Sequence, residues 1–244
     1  MSLAPVCVLA GGLGTRLGAI TKTVPKPLVE VAGRPFLEHQ LVLLAAHGAR
    51  EIVLCVGHLG EQVEALVRDG GQYGLAVRYS YDPPRLAGTA GAVRGALPLL
   101  PEDGFLVLYG DTYLRLDYRA VEARFRRGSA SALMTVLRNG GRWGPSNATV
   151  ARGRVTAYDK LTPAPEMTWI DYGLSVLTHR ALAAVPDHEP ALSAVFTELA
   201  RRGDLAAYEA TQRFYEIGSP DAREETARFL AGHDPRAGKA ARNA

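Results

Sequence analysis

Twenty residues near the amino terminus, Leu9 to Leu28, read LAGGLGTRLGAITKTVPKPL and concentrate the chemistry of the chain. Gly11, Gly12 and Gly14 follow an apolar run, and a loop without Cβ atoms can bring successive backbone N–H groups against phosphate oxygens. Arg16 adds a forked cation and Lys26 a compact one within reach of the same anion. Two familiar phosphate loops are excluded. A P-loop needs Lys-Ser/Thr directly after its last glycine, where Thr15-Arg16 stands, and a dinucleotide fingerprint needs glycine three residues past Gly14, where Leu17 stands. Taken alone, the segment also fits an ordinary glycine-rich turn after a first strand.

Asp111 closes the apolar run FLVLYGD, which places its carboxylate at the carboxyl edge of a buried strand, where ligands of open α/β sheets bind. A capping or turn aspartate is the competing reading. The run LAGTAGA at 86–92 reads as a loop entering a helix, and its small residues would let a base or ribose lie against the backbone at Gly88, Thr89 and Ala90. Without the other motifs, a helix start with small packing residues is the better explanation.

The elements that must position these residues alternate through the first half. Apolar runs at 4–10, 51–57 and 104–110 are short, rich in Val and Leu and bounded by glycine, as strands buried on both faces of a parallel sheet are. Helical patterns at 35–47, 60–68 and 89–97 lie between or beside them, the first stopping at Gly48. After about residue 128, segments 131–138, 148–158 and 168–177 read as strands joined by turns too short for crossover helices, an antiparallel extension of the same sheet. Helices follow at about 191–202 and 219–231, the second opening on Ser219-Pro220-Asp221: a cap, a proline at the first position and an acid at the positive dipole end. We expect one domain over 1–232, with a nucleotide part to about 128 and a sugar part beyond it, and a disordered tail over 233–244.

The run GGLGTRL followed by PKPL, then VAGRPFLE at 31–38, LAGTAGA at 86–92, YGD at 109–111 and YEIGSP at 215–220, resembles the signature of sugar-1-phosphate nucleotidyltransferases in content and order. The likeness covers about residues 4 to 231 and is nearest to heptose- and hexose-1-phosphate guanylyltransferases and muramate-type uridylyltransferases. It implies a Rossmann-like α/β fold of the GT-A kind, with a mixed, mostly parallel central sheet. It implies transfer of a nucleotidyl group from a nucleoside triphosphate to a sugar 1-phosphate, with Mg²⁺ as cofactor and GTP favoured. Leu9, Ala10, Gly11, Gly12, Gly14, Thr15, Gly88, Thr89 and Gly110 would then line the nucleotide, Arg16 face the leaving pyrophosphate and Lys26 sit at the reacting phosphates. Asp111 would ligate Mg²⁺, with Glu216 standing where the family usually has aspartate, one methylene shorter. On the sugar side the matching positions are Asp159, Lys160, Asp171, Tyr172 and Gly173, with Asn147 on a nearby turn. Here the chain departs from the family: Asp171 replaces a neutral amide by an acceptor-only carboxylate, and Tyr172 a small residue by a large ring.

That chemistry asks for positioning and charge neutralisation rather than a covalent nucleophile. The chain agrees, since it has no Ser-His-Asp or Cys-His constellation and its six histidines are scattered. His39, His47 and His58 read as surface or satisfied polar residues. Cys7 and Cys55 lie in apolar runs, which excludes a disulfide scaffold and a zinc ligand set. A formal charge of +3 and an Arg124, Arg126, Arg127 cluster without interleaved aromatics argue against nucleic acid. No apolar run approaches a bilayer's thickness and the start lacks a signal peptide's basic flank, so a cytoplasmic location is expected, with oligomeric state left open. Two other functions compete. Asp171 and Tyr172 would suit a cytidylyltransferase acting on a non-sugar phosphate such as phosphocholine, against which the GTAG loop speaks; Glu216 and Asp159 would suit a non-catalytic nucleotide-sugar-binding regulator, against which Arg16, Lys26, Asp111 and Lys160 speak. The basic residues are unevenly divided, with lysine only at 22, 26, 160 and 239 among 28.

Overall fold

The computed structural model describes residues 2–83 and 87–233, so Leu86 and all of the expected disordered tail except His233 lie outside the described residues. The first half runs β1 (Val6–Leu9), a small ribbon of β2 (Glu30–Val31) and β3 (Arg34–Pro35), α1 (Phe36–Ala46), β4 (Glu51–Val56), α2 (Gly60–Val67), β5 (Ala76–Tyr81), α3 (Gly88–Ala96) and β6 (Phe105–Tyr109). Then come β7 (Thr112–Tyr113), α4 (Tyr118–Arg126), β8 (Ala132–Arg138), β9 (Ala148–Ala151), β10 (Arg154–Tyr158) and β11 (Trp169–Leu177). The described chain ends with α5 (His179–Leu182), α6 (Leu192–Arg201), β12 (Leu205–Ala210), β13 (Tyr215–Glu216) and α7 (Pro220–Ala231).

Among the described residues a nine-stranded sheet has the order β5-β4-β1-β6-β11-β8-β12-β10-β9 and runs through both halves. The fold is α/β with a mixed sheet. It is not mostly parallel, however: β5, β4, β1 and β6 pair in parallel, as does β8 with β12, whereas β6–β11, β11–β8, β12–β10, β10–β9 and β9–β11 are antiparallel. The reason is connection length. Helical crossovers join the first strands, but β9 and β10 are joined only by Arg152-Gly153, both at positive φ, as a two-residue hairpin requires. The strand expected over 148–158 is therefore two strands. Two further strands of this sheet, β5 and β12, have no counterpart in the sequence reading, nor do the short β2, β3, β7 and β13 outside it.

The sheet is covered on both faces. One face carries Val6, Val8, Ile52, Leu54, Leu106 and Leu108 against α1, α2 and α4, and the other carries Cys7, Val53, Cys55, Phe105 and Val107 against α3, α5 and α6. This double burial explains why the central strands are apolar throughout. A smaller cluster of Val31, Phe36, Leu43, Tyr113, Ile217 and Leu230 packs α7 and the β7–β13 ribbon beside the sheet's carboxyl edge. No helix of the described residues is long and apolar enough to cross a membrane.

Candidate functional site

The loop after β1 is shaped by close backbone approach. A Cβ on Gly11 would lie 3.0 Å from the Gly57 amide nitrogen, whereas one on Gly12 would meet nothing within 4 Å, so Gly12 faces open space. Gly14 has φ +63°, and a Cβ there would press on Thr21 at 2.9 Å and on the Lys26 stem at 3.0 Å. The chain then makes a 3-10 segment over Thr15–Lys22, tied down by Thr21 Oγ1, which donates to the carbonyls of Gly14 and Gly18, and by a His58 Nε2 contact to Thr21 O. Lys26 follows on a single 3-10 turn between Pro25 and Pro27, whose rings fix φ and hold the base of the side chain.

Asp111 is held from the opposite wall. The Gly110 amide donates to Leu9 O at 3.0 Å, and a Cβ on Gly110 would lie 2.5 Å from that oxygen, so only glycine lets β6 end this close to β1. Gln40, buried in α1 at 1% exposure, donates through Nε2 to the carbonyls of Tyr109 at 3.0 Å and Thr112 at 2.6 Å, bracketing Gly110-Asp111. Lys26 Nζ then donates to Asp111 Oδ2 at 2.5 Å, with side-chain exposures of 12% and 28%. Leu9, Ala10, Gly11, Gly12, Lys26, Asp82, Gly88, Thr89, Gly110 and Asp111 thus line one cleft of about 220 Å³. That is below the roughly 300–1,000 Å³ of an enclosing ligand site, so a nucleotide would lie partly outside it.

Arg16 is exposed and makes no hydrogen bond or ion pair among the described residues. Its guanidinium and the Glu216 carboxylate flank Gly218, where a Cβ would lie 2.8 Å from Arg16 Nη2. Glu216 Oε2 accepts the Gly218 amide, and across the β7–β13 ribbon Glu216 is paired with Thr112 rather than with Asp111. No group of three or more metal-ligating side chains converges among the described residues. The donor set still fits a hard cation that takes most ligands from substrate and water: among the described residues, Asp111 and Glu216 each keep one carboxylate oxygen outside their hydrogen bonds.

The residues expected on the sugar side separate. The register between β11 and β8 shifts between Asp171 and Ser175, and Gly173 within that bulge has φ +99°. The bulge sets Asp171 beside the cleft wall, where Oδ1 accepts the Gly173 amide at 3.0 Å and Oδ2 the Tyr158 hydroxyl at 3.3 Å. Burial raises the Asp171 pKa, opposed by its hydrogen bonds and the nearby Lys160 charge. The Lys160 ammonium lies 5.5 Å from the centroid of the Tyr109 ring, itself part of the cleft. Tyr172 is a correction: at 1% exposure it lies in the core, edge-on to Phe214, because strand alternation sends it to the sheet face opposite Asp171. The Asp159 carboxylate is occupied by its own turn, accepting from Leu161 N, Thr162 N and Thr162 Oγ1, which lower its pKa. Asn147, also buried, bridges these acids, its side-chain carbonyl accepting Asp171 N and its backbone carbonyl Asp159 N. Thr89 Oγ1 accepts Leu192 N and keeps its proton, and Thr15 opens the exposed 3-10 segment.

Residues 6–142, more than half the chain, match the nucleotidyl transferase family. The chain belongs to that family. This nucleotidyl transferase is 42% identical over 113 residues to the N-acetylmuramate alpha-1-phosphate uridylyltransferase of Neisseria meningitidis, covering 46% of this chain and 49% of that one. It is 30% identical over 219 residues to the mannose-1-phosphate guanylyltransferase of Mycobacterium tuberculosis, covering 88% of this chain and 61% of that one. The chain spans less than two thirds of the length of such relatives. Among solved structures, HddC from Yersinia pseudotuberculosis complexed with GMP-PN superposes with a TM-score of 0.76 at 23% identity, covering 93% of this chain and all of that one. The inositol-1-phosphate CTP transferase from T. maritima gives 0.78 at 19% identity, with 95% and 98% covered. These likenesses establish the same Rossmann-like α/β fold.

Sequence reasoning passed over Asp82 and Gln40. Asp82 follows an edge strand whose Arg and Ser residues hid it, and Gln40 looked like one polar residue in an apolar helix; neither forms a local motif.

Two outcomes follow from this geometry. Gln40→Leu keeps the volume but removes the side-chain donor from the Thr112 carbonyl and leaves the Tyr109 carbonyl dependent on the Thr112 hydroxyl, so unfolding in denaturant should show a loss of about 2 kcal/mol. Asp171 behaves differently because its folded pKa lies above the unfolded one: the folded state is favoured at acid pH and loses that advantage as pH rises through and beyond the ordinary carboxylate range. Asp171→Asn should therefore raise Tm at neutral pH and flatten its fall from mildly acidic pH; an unchanged slope would contradict the assignment.

Proposed function

We propose that the protein transfers a nucleotidyl group from a nucleoside triphosphate to a sugar 1-phosphate, releasing pyrophosphate, on a GT-A-like scaffold whose antiparallel half holds the sugar. The observation that carries this reading is the convergence, at the carboxyl edge of β1 and β6, of an open glycine loop, the Lys26–Asp111 pair and the nearby unpaired Arg16. The sugar-phosphate oxygen attacks the α-phosphorus, the bond to the bridging oxygen breaks opposite it, and pyrophosphate carries the electron pair away. The attacking phosphate is already ionised, so no general base is needed.

Each residue then has a physical task. Amides at Gly11 and Gly12 face the phosphates, Lys26 offers one compact charge at the reacting centre, and Arg16 offers paired donors to the leaving diphosphate. Lys160, above Tyr109, offers the charge that draws in the sugar phosphate, and Asp171 accepts from sugar hydroxyls. Asp111 would hold Mg²⁺ together with phosphate oxygens, with Glu216 as a second acid. When bound, the ion neutralises charge developing on the phosphates.

GTP with a heptose or hexose 1-phosphate is the favoured pair, supported by the sequence signature and by relatives named as mannose-1-phosphate guanylyltransferases. A reducing, cytoplasmic compartment is supported by Cys7 and Cys55, whose sulfurs lie 3.4 Å apart as free thiols.

The test is pyrophosphate release measured over four nucleoside triphosphates and a panel of sugar 1-phosphates. Lys26→Ala and Asp111→Asn should each lower kcat by about 10²–10³-fold with the far-UV circular dichroism unchanged. Near-normal turnover by either variant would defeat the proposal.

A further inference from the structure

α3 opens on Gly88, Thr89 and Ala90, of which Gly88 and Thr89 line the cleft. No side chain among the described residues caps this helix start. Its place is set instead by a segment far along the chain. Ala90 N donates to Pro190 O at 2.8 Å and Leu192 N donates to Thr89 Oγ1 at 2.9 Å. Gly88, at φ +71°, packs so close that a Cβ there would lie 2.4 Å from Pro190 O. Because Leu192 occupies one lone pair of the Thr89 hydroxyl, the orientation of that hydroxyl is tied to where Leu192 sits.

Pro190 lies in the loop that joins α5 to α6, and Leu192 opens α6. That loop has little apolar burial to hold it, with Ala183, Pro186, Asp187, His188 and Pro190 all exposed. Arg94 fastens it to α3. Its guanidinium, on a side chain only 14% exposed, donates to the carbonyls of Leu182, Val185, Pro186, Asp187 and Glu189, and its Nε lies 3.6 Å from the Asp187 carboxylate. Arg94 stands one helical turn beyond Ala90, so one face of α3 meets the loop twice.

An apolar side chain of similar length would fill the same space, but only a fork with several N–H groups fixes five carbonyls at once. We propose that Arg94, which does not itself line the cleft, is a positioning residue for the nucleotide. It holds the loop between α5 and α6 so that Pro190 and Leu192 set the place of the Gly88–Ala90 turn and the direction of the Thr89 hydroxyl. The inference rests on the reading above only in taking the ligand of this turn to be the nucleoside triphosphate.

The experiment is equilibrium binding of GTP, ATP, CTP and UTP to the full chain, the tightest being carried on to Arg94→Met, Thr89→Val and the double variant. Arg94→Met should weaken that nucleotide about 10-fold, the worth of one forfeited hydrogen bond. kcat at saturating nucleotide should stay within a few-fold, because Lys26 and Asp111 sit outside α3. In the Thr89→Val background the same substitution should add no more than about 2-fold, since the hydroxyl that Arg94 orients is gone. Val121→Ala, a cavity in α4 on the opposite face of the sheet, is the comparison for general loss of stability: it should lower Tm and leave the affinity unchanged. Should Arg94→Met not fold, Arg94→Lys is read in its place with a loss of about 3-fold, because an ammonium cannot span five carbonyls. Unchanged affinity in the folded Arg94 variant overturns the inference and leaves nucleotidyl transfer standing, as does a loss that adds in full to that of Thr89→Val. An equal loss in Val121→Ala also overturns it. A loss at Arg94 and none at Val121, in a protein that transfers to no sugar 1-phosphate, would sustain the inference while removing the reading it rests on.

Discussion

The contact between Lys26 and Asp111 is the constraint around which the cleft is organised. An ammonium and a carboxylate at 2.5 Å, both largely withdrawn from water, repay their desolvation only if geometry holds them together. The surrounding sequence supplies that geometry. Two prolines fix the turn that carries Lys26, Gly14 leaves room for its stem, Gly110 lets β6 end against Leu9, and Gln40 clamps the carbonyls on either side of Asp111. Each of these bears on where one partner of the pair sits. The same demand explains the site's small residues. Gly11, Gly14 and Gly110 stand where another backbone or side chain already fills the space a Cβ would need, whereas Gly12 faces open space.

The change of strand direction beside β6 has a functional consequence. Up to β6, right-handed crossovers keep every strand's carboxyl end on one edge, so loops after β1, β5 and β6 all open into one cleft. β11 runs the other way and would bring only its own middle to that edge. Its bulge at Asp171 to Ser175 solves this by lifting Asp171 and Gly173 out of register beside Tyr109 and Thr112. The side proposed for the acceptor is thus built from a mid-strand irregularity, whereas the side proposed for the nucleotide is built from loops.

This difference decides what could be read from the sequence. The residues proposed for the nucleotide are written in contiguous runs, and Gly11, Gly12, Lys26, Gly88, Gly110 and Asp111 all line one cleft. The long helices were legible because apolar periodicity reports a buried face directly, as in 35–47 and 191–202. Edge strands were not, since β5 exposes alternate residues and its signal resembles a polar loop. Tyr172 was misplaced because a motif position gives no strand phase, and a bulge next to it makes alternation unsafe to count. Gln40 acts across 69 and 72 residues of chain, a separation no local pattern encodes.

The scarcity of lysine gains meaning from what the arginines do. Arg94 gives its two terminal nitrogens to five carbonyls, those of residues 182, 185, 186, 187 and 189, which fastens that loop to α3. Arg213 takes both oxygens of Glu225, while Arg124 and Arg154 reach single carbonyls at Gly153 and Gly203. These are positions where a planar fork spreads its donors over fixed backbone, and a fork so engaged is not free to follow a ligand. The cleft uses the other cation. Lys26 meets one carboxylate oxygen and Lys160 rests over one ring, each a point charge on a flexible stem that can turn to an incoming phosphate without breaking a second bond. Arg16 is the exception that fits the rule, for it is the forked cation beside the loop left without a protein partner among the described residues. The net charge of the whole chain therefore says little about its ligand, because many of its arginines are already engaged with the protein's own carbonyls and carboxylates.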